Sequence, residues 1–137
     1  MFQDKMMNCM TVIAGKAVSA SGRVLVAHNE DDPGHVIVRH AIVPAADHAT
    51  GELVPAEAGL ARIPQAPHTL GYYWVEYVED DGGLTAADAY LNECGVVVTS
   101  NSMGWSKEDD DDPNVVKDGG IGYVLRRALA ERAHTAR

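Results

Sequence analysis

The residue whose type and position most clearly allow chemistry is Cys9, which opens an apolar segment near the start of the chain. A cysteine nucleophile needs a base, and no histidine stands at a spacing that assigns one to Cys9. If residues 1–8 were removed, Cys9 would carry a free α-amine, whose unperturbed pKa is about 7.7–8. That amine could take the thiol proton near neutral pH. The alternative is that Cys9 is a small residue packed within a strand.

Metal and redox chemistry have little support in the sequence. Cys9 and Cys94 are too far apart for a CxxC pattern, and the six histidines follow no HExxH or similar spacing. A disulfide between the two cysteines stays open, although a cytoplasmic chain usually keeps its thiols reduced. Residues 107–112 hold five carboxylates without the spacing of a calcium loop, and we expect a solvated loop there. We therefore expect no metal site and no cofactor.

The elements that must position Cys9 are short strands. Apolar and β-branched residues predict a first hairpin, with residues 9–19 and 24–27 as its strands and with both faces buried. A polar loop over residues 28–34 ends this hairpin. Further strands are predicted over residues 35–43, 69–78, 89–91 and 96–100, with an irregular excursion over residues 44–68.

One helix is predicted near the end of the chain. Asp118 would cap it, and apolar residues from Ile121 onward recur at helical spacing. We expect this helix to continue through Arg137, because no Gly or Pro interrupts it. Taken alone, the sequence predicts a mixed α+β fold with antiparallel hairpins.

Several segments, in order, resemble a known family. The segment CMTVIAGKAVSASGRVLVAHNEDDPG, from residue 9 onward, resembles the N-terminus of the dipeptidase A-like family. These are cysteine peptidases of the N-terminal-nucleophile hydrolase superfamily. LNECGVVVTSNS at residues 91–102 is similar to the family's Asn-Glu-x-Gly-Val segment. GGIG at residues 119–122, with the helix after it, is similar to the stretch that follows the family's acidic loop.

The resemblance implies a site and a reaction. Cys9 would be the nucleophile of a cysteine-type peptidase acting on dipeptides and, once exposed, would carry its own base. Asp31 matches the acidic position beside the α-amine, and Asn101 matches an amide that helps to hold the oxyanion. His28 stands where many relatives have arginine; it can still form hydrogen bonds, but its charge depends on pH. From the residues alone, Asp31 could equally belong to a strand-end turn and Asn101 to an ordinary loop.

The resemblance also implies a fold and a domain organisation. It implies the four-layer αββα sandwich of that superfamily, with antiparallel sheets, of which the chain supplies several core strands and one helix. We expect residues 1–8 to be a leader that is removed, and residues 9–137 to be the N-terminal part of one hydrolase domain, truncated at its C-terminal end. Relatives take further site residues from beyond this point, so we expect this piece alone to be inactive.

Two other functions stay open. One is an amidase of the same superfamily that acts on non-peptide amides of the bile-salt or penicillin type. The other is a non-catalytic domain or inactive fragment in which Cys9 only packs.

The net charge and the lengths of the apolar segments argue against some classes of binding partner. The chain has 20 Asp and Glu against 11 Lys and Arg, a net charge of −9, which argues against nucleic acid and anionic membranes. No segment approaches the roughly 18 apolar residues of a membrane span. The N-terminus lacks the basic start and apolar stretch of a signal peptide. We expect a cytoplasmic location and a small peptide substrate, and a homo-oligomer stays open.

Overall fold

The described part of the chain consists of antiparallel strands and one helix. The computed structural model describes residues 9–30, 36–55, 61–79, 85–101 and 121–136. Strands β1 and β2 form a hairpin, β3, β6, β7 and β8 form a four-stranded sheet in that order, and β4 pairs with β5. The elements are β1 (Met10–Ala14), β2 (Leu25–Asn29), β3 (Val36–Val43), β4 (Ala46–Asp47), β5 (His68–Thr69), β6 (Tyr72–Glu79), β7 (Thr85–Asn92), β8 (Val97–Thr99) and α1 (Ile121–Arg132).

The β1–β2 hairpin fixes the register of the residues nearest to Cys9. Its turn is closed by a hydrogen bond from the Gly22 N–H to the Ser19 carbonyl at 3.0 Å. Gly22 has a φ of +65°, a conformation that glycine adopts without steric cost. The pairing that follows sets Thr11 directly opposite His28. Because opposite residues of an antiparallel pair point to the same face, their side chains can interact.

Burial of this hairpin on both faces was a wrong prediction. Val12 and Ile13 are neighbours in β1 and therefore point to opposite faces, yet they are 56% and 67% exposed. The buried residues of the described part of the chain all lie outside the hairpin, whose large apolar side chains, apart from the half-buried Val26, are exposed.

The four-stranded sheet carries the main core. Tyr72 and Tyr90 meet edge to face with ring centroids 5.6 Å apart, and Ala87 and Ala130 complete the buried cluster. Strand β7 begins at Thr85, four residues before the predicted start. Alanines at this end of the strand give a weak strand signal, and the pairing with β6 overrides it.

Helix α1 packs on β7 and β8 and contributes Val124 and Ala128 to a second small cluster with Val54. It ends at Arg132, so the prediction that it continues through Arg137 was wrong. The side-chain amide of Asn92 supplies the reason. It donates hydrogen bonds to the carbonyls of Ala130 and Ala133, at 3.0 and 2.8 Å. These are terminal carbonyls, which have no partner within a helix and need one outside it.

The coarse fold class is α+β with antiparallel sheets, as predicted. Among the described residues of 44–68, which leave out 56–60, most are irregular, as expected, although they contain β4, the start of β5 and one bridge between Leu53 and Pro64. Asp118 and residues 107–112 lie outside the described residues. Within the described ranges, no helix is long and apolar enough to cross a membrane.

Candidate functional site

Three of the four predicted site residues lie together. The Asn101 side-chain amide donates a hydrogen bond to the main-chain carbonyl of Cys9 at 3.3 Å. Its carbonyl oxygen accepts a hydrogen bond from the Thr11 hydroxyl at 2.8 Å. Thr11 in turn lies 2.8 Å from Nδ1 of His28. Asn101 follows β8 and the other residues belong to the hairpin, so this chain of contacts joins the hairpin to the end of the four-stranded sheet.

The direction of each hydrogen bond in this chain is determined. The carbonyl of Cys9 can only accept, which fixes the orientation of the Asn101 amide. The Asn101 oxygen must then accept from Thr11, whose single hydroxyl proton is thereby used. His28 Nδ1 must therefore donate to the Thr11 oxygen, so that Nδ1 carries a proton.

Two carboxylates lie at the other nitrogen of His28. Nε2 is 3.0 Å from Oδ1 of Asp88 on β7 and 3.7 Å from Oε2 of Glu30, just after β2. The side chains are well buried, with 7% of His28, 13% of Asp88 and 19% of Glu30 exposed. Since Nδ1 already carries a proton, a neutral ring directs the lone pair of Nε2 toward the Asp88 oxygen. A contact at this distance requires a proton or a cation between the two atoms.

Glu30 connects this acidic pair to the cysteine. Burial raises the pKa of the Glu30 carboxyl, and a hydrogen bond with the Asp88 side chain raises that pKa further. A hydrogen bond with the Cys9 side chain and the nearby charge of His28 act in the opposite direction. Cys9 itself is half-buried and forms no disulfide. Its thiol therefore lies beside the Glu30 carboxyl group.

Asp31, the fourth predicted site residue, lies outside the described residues. The oxyanion role of Asn101 stays a prediction. One of the two amide hydrogens of Asn101 is used in the hydrogen bond to the Cys9 carbonyl. The other amide hydrogen has no hydrogen-bond acceptor among the described contacts.

Sequence reasoning gave no role to Thr11, Glu30 or Asp88. Thr11 and Glu30 stood within the segments that carried the resemblance, and their register in the hairpin would have placed them beside Cys9 and His28. Asp88 carried one weak signal, a single carboxylate between alanines in a strand. No spacing could have joined it to His28, which lies 60 positions away.

The sequence spacing gave no candidate metal ligands, but the structure brings three together. Ligand atoms of His28, Glu30 and Asp88 all lie within 4.8 Å of one another. The set comes from two strands far apart in the chain and therefore follows no local ligand spacing. Cys94 lies with its sulfur 3.4 Å from Nδ1 of His134.

No family model, curated protein or solved structure matches the chain. The resemblance to the dipeptidase A-like family therefore stays a prediction, and the argument for function depends on the geometry of Cys9 and its neighbours.

Proposed function

We propose that the protein is a cysteine-type peptidase that hydrolyses dipeptides, with Cys9 as the nucleophile, in the αββα sandwich of the N-terminal-nucleophile hydrolases. One observation carries the proposal. The amide of Asn101 bonds to the Cys9 carbonyl at 3.3 Å, across 92 positions of the chain. The resemblance gives Cys9 the role of nucleophile and Asn101 that of an oxyanion donor, so their proximity supports a common site.

The reaction would begin with removal of residues 1–8, which frees the α-amine of Cys9. The amine takes the thiol proton, and the thiolate attacks the carbonyl carbon of the peptide bond. The carbonyl electron pair moves to oxygen, where the second amide hydrogen of Asn101 would help to hold the negative charge. The ammonium of Cys9 then returns the proton to the departing amine as the carbon–nitrogen bond breaks. A thioester on Cys9 remains.

Water would complete the cycle. The α-amine removes a proton from a water molecule, and the resulting hydroxide adds to the thioester carbonyl. Collapse of this second tetrahedral intermediate breaks the carbon–sulfur bond and releases the acid. The Cys9 sulfur recovers its proton from the ammonium. Each proton taken by the amine is therefore returned in the same half-reaction.

The neighbouring side chains would position this machinery. Thr11 holds the oxygen of the Asn101 amide and thereby orients its nitrogen toward Cys9. The carboxyl of Glu30 is hydrogen-bonded to the Cys9 side chain and would help to orient the thiol. We assign Asp31 the role of orienting the α-amine. Its negative charge would favour the ammonium form, so this role requires that the amine can still lose its proton.

The test is a substrate panel with the protein expressed from its complete reading frame. We expect turnover of unblocked dipeptides, no turnover after Cys9→Ala, and unchanged turnover after Cys94→Ala. Turnover of acyl amides alone would indicate the amidase instead. Equal behaviour of wild type and Cys9→Ala on every substrate would overturn the catalytic proposal and leave Cys9 as a packing residue.

A further inference from the structure

The cluster of His28, Glu30 and Asp88 has a geometry that suggests a ligand. Because Nδ1 of His28 donates to Thr11, a neutral ring presents its Nε2 lone pair to both carboxyl groups. Both carboxyl groups lie against that nitrogen, so three groups with lone pairs converge on one point. A divalent cation would satisfy all three together.

The geometry of the donor atoms fits such a cation. Metal–ligand bonds of about 2.0–2.1 Å in a tetrahedral site place the ligand atoms about 3.3 Å apart. The distances from His28 Nε2 to Asp88 Oδ1 and Glu30 Oε2 are 3.0 and 3.7 Å, on either side of that value. All three ligand atoms lie within 4.8 Å of one another. Small shifts of side chains would bring them into contact with one ion.

We propose that His28 Nε2 and one oxygen each of Glu30 and Asp88 bind a divalent transition-metal ion of the zinc class. One imidazole nitrogen with two carboxylate oxygens is a zinc-type donor set, whereas Mg²⁺ and Ca²⁺ prefer oxygen ligands alone. The hydrogen bond from Nδ1 to Thr11 fixes the tautomer and the ring orientation, as metal-binding histidines require. Three protein ligands leave a fourth position for water.

The proposed ion would join the hairpin to the four-stranded sheet. Its ligands come from β2, from the residue after β2, and from β7. No step of the proposed peptidase reaction uses a metal, although Glu30 belongs to both proposals. The test of the metal site measures binding and not turnover, so that the two proposals can fail separately.

The experiment is a calorimetric titration of the chelator-treated protein with ZnCl₂, with MgCl₂ as a parallel titration. We expect one zinc ion per chain and a much weaker response to magnesium. His28→Gln and Asp88→Asn should each weaken zinc binding by at least about tenfold. Even substitution of a residue that only hydrogen-bonds to a metal ligand lowers metal affinity by about 10–100-fold. Thr11→Val, which removes only the partner of Nδ1, should weaken binding within that same range and provides a variant that keeps all three ligands.

The matched control is His68→Gln. His68 also pairs with a carboxylate, through Nδ1 at 2.7 Å from Asp47, but both side chains are exposed and no third ligand completes the pair among the described residues. We expect this variant to bind zinc as the wild type does. Absence of zinc binding, equal binding of magnesium, or binding unchanged by His28→Gln, Asp88→Asn and Thr11→Val would overturn the proposal. An equal loss of binding in His68→Gln would do the same.

Discussion

The side chain of Asn101 donates a hydrogen bond to the main-chain carbonyl of Cys9. An amide at this position can both hold the backbone of the nucleophile and direct a second hydrogen toward a developing oxyanion. A carboxylate could do neither, because it has no hydrogen to donate and would face the lone pairs of the Cys9 carbonyl.

We therefore expect Asn101→Asp to lower kcat/KM for a dipeptide by about 10²–10³-fold, the usual effect of losing one oxyanion donor. Steady-state kinetics of the protein from the complete reading frame would measure the change. Most of it should lie in kcat, because an oxyanion forms only after substrate has bound. An effect confined to KM would contradict the oxyanion role and leave Asn101 as a structural residue.

Alkylation rates of the two cysteines provide a second prediction. Cys94 is exposed and Cys9 is half-buried, so accessibility alone would favour Cys94. If the α-amine of Cys9 takes its thiol proton, Cys9 should react first with iodoacetamide, because the thiolate is the reactive species. Peptide mass spectrometry after a short exposure would measure the order in the protein that begins at Cys9.

The contact of Cys94 with His134 must be controlled in this experiment, since an imidazole can also activate a thiol. His134→Gln removes that neighbour and should slow only Cys94. Faster alkylation of Cys94 than of Cys9 in this variant would contradict an activated nucleophile at Cys9.

The hairpin and the fold class could be predicted because their signals are local. Apolar runs and a glycine turn identify β1 and β2, and the register of that pair brings Thr11 to His28. The end of α1 could not be predicted, because Asn92 lies 38 positions before the carbonyl of Ala130 that it caps. Asp88 was missed for the same reason, since its contact with His28 depends on how the hairpin meets the sheet.

Asn92 is a structural residue whose loss should be costly. It is 3% exposed, its amide nitrogen donates to one carbonyl in the last turn of α1 and to one just after it, and its oxygen accepts hydrogen bonds from the N–H groups of Cys94 and Val96. We expect Asn92→Ala to lower the free energy of unfolding by about 2–4 kcal/mol, because it leaves buried main-chain groups without partners. Urea denaturation would measure this loss.

Leu129→Ala is the control for Asn92, because Leu129 lies on the same helix end but is 53% exposed. Its effect should stay within about 0.5 kcal/mol, as for most surface substitutions. Similar losses for the two variants would contradict a specific role of the Asn92 cap.

Glu52 should make stability depend on pH at acidic values. A hydrogen bond from the backbone of Ala49 lowers the pKa of the Glu52 carboxyl below its ordinary value of 4.5, and a hydrogen bond with His48 lowers that pKa further. A group whose pKa is lower in the folded state stabilises the fold when it is ionised. The stabilisation is present above the unfolded pKa and is lost as pH falls through the folded pKa.

Glu52→Gln should therefore be less stable than the wild type at about pH 6, and the two should converge toward about pH 3. Urea denaturation of both proteins across this range would measure the difference. A difference that stays constant with pH would show that the amide substitution acts through packing and not through the charge of Glu52.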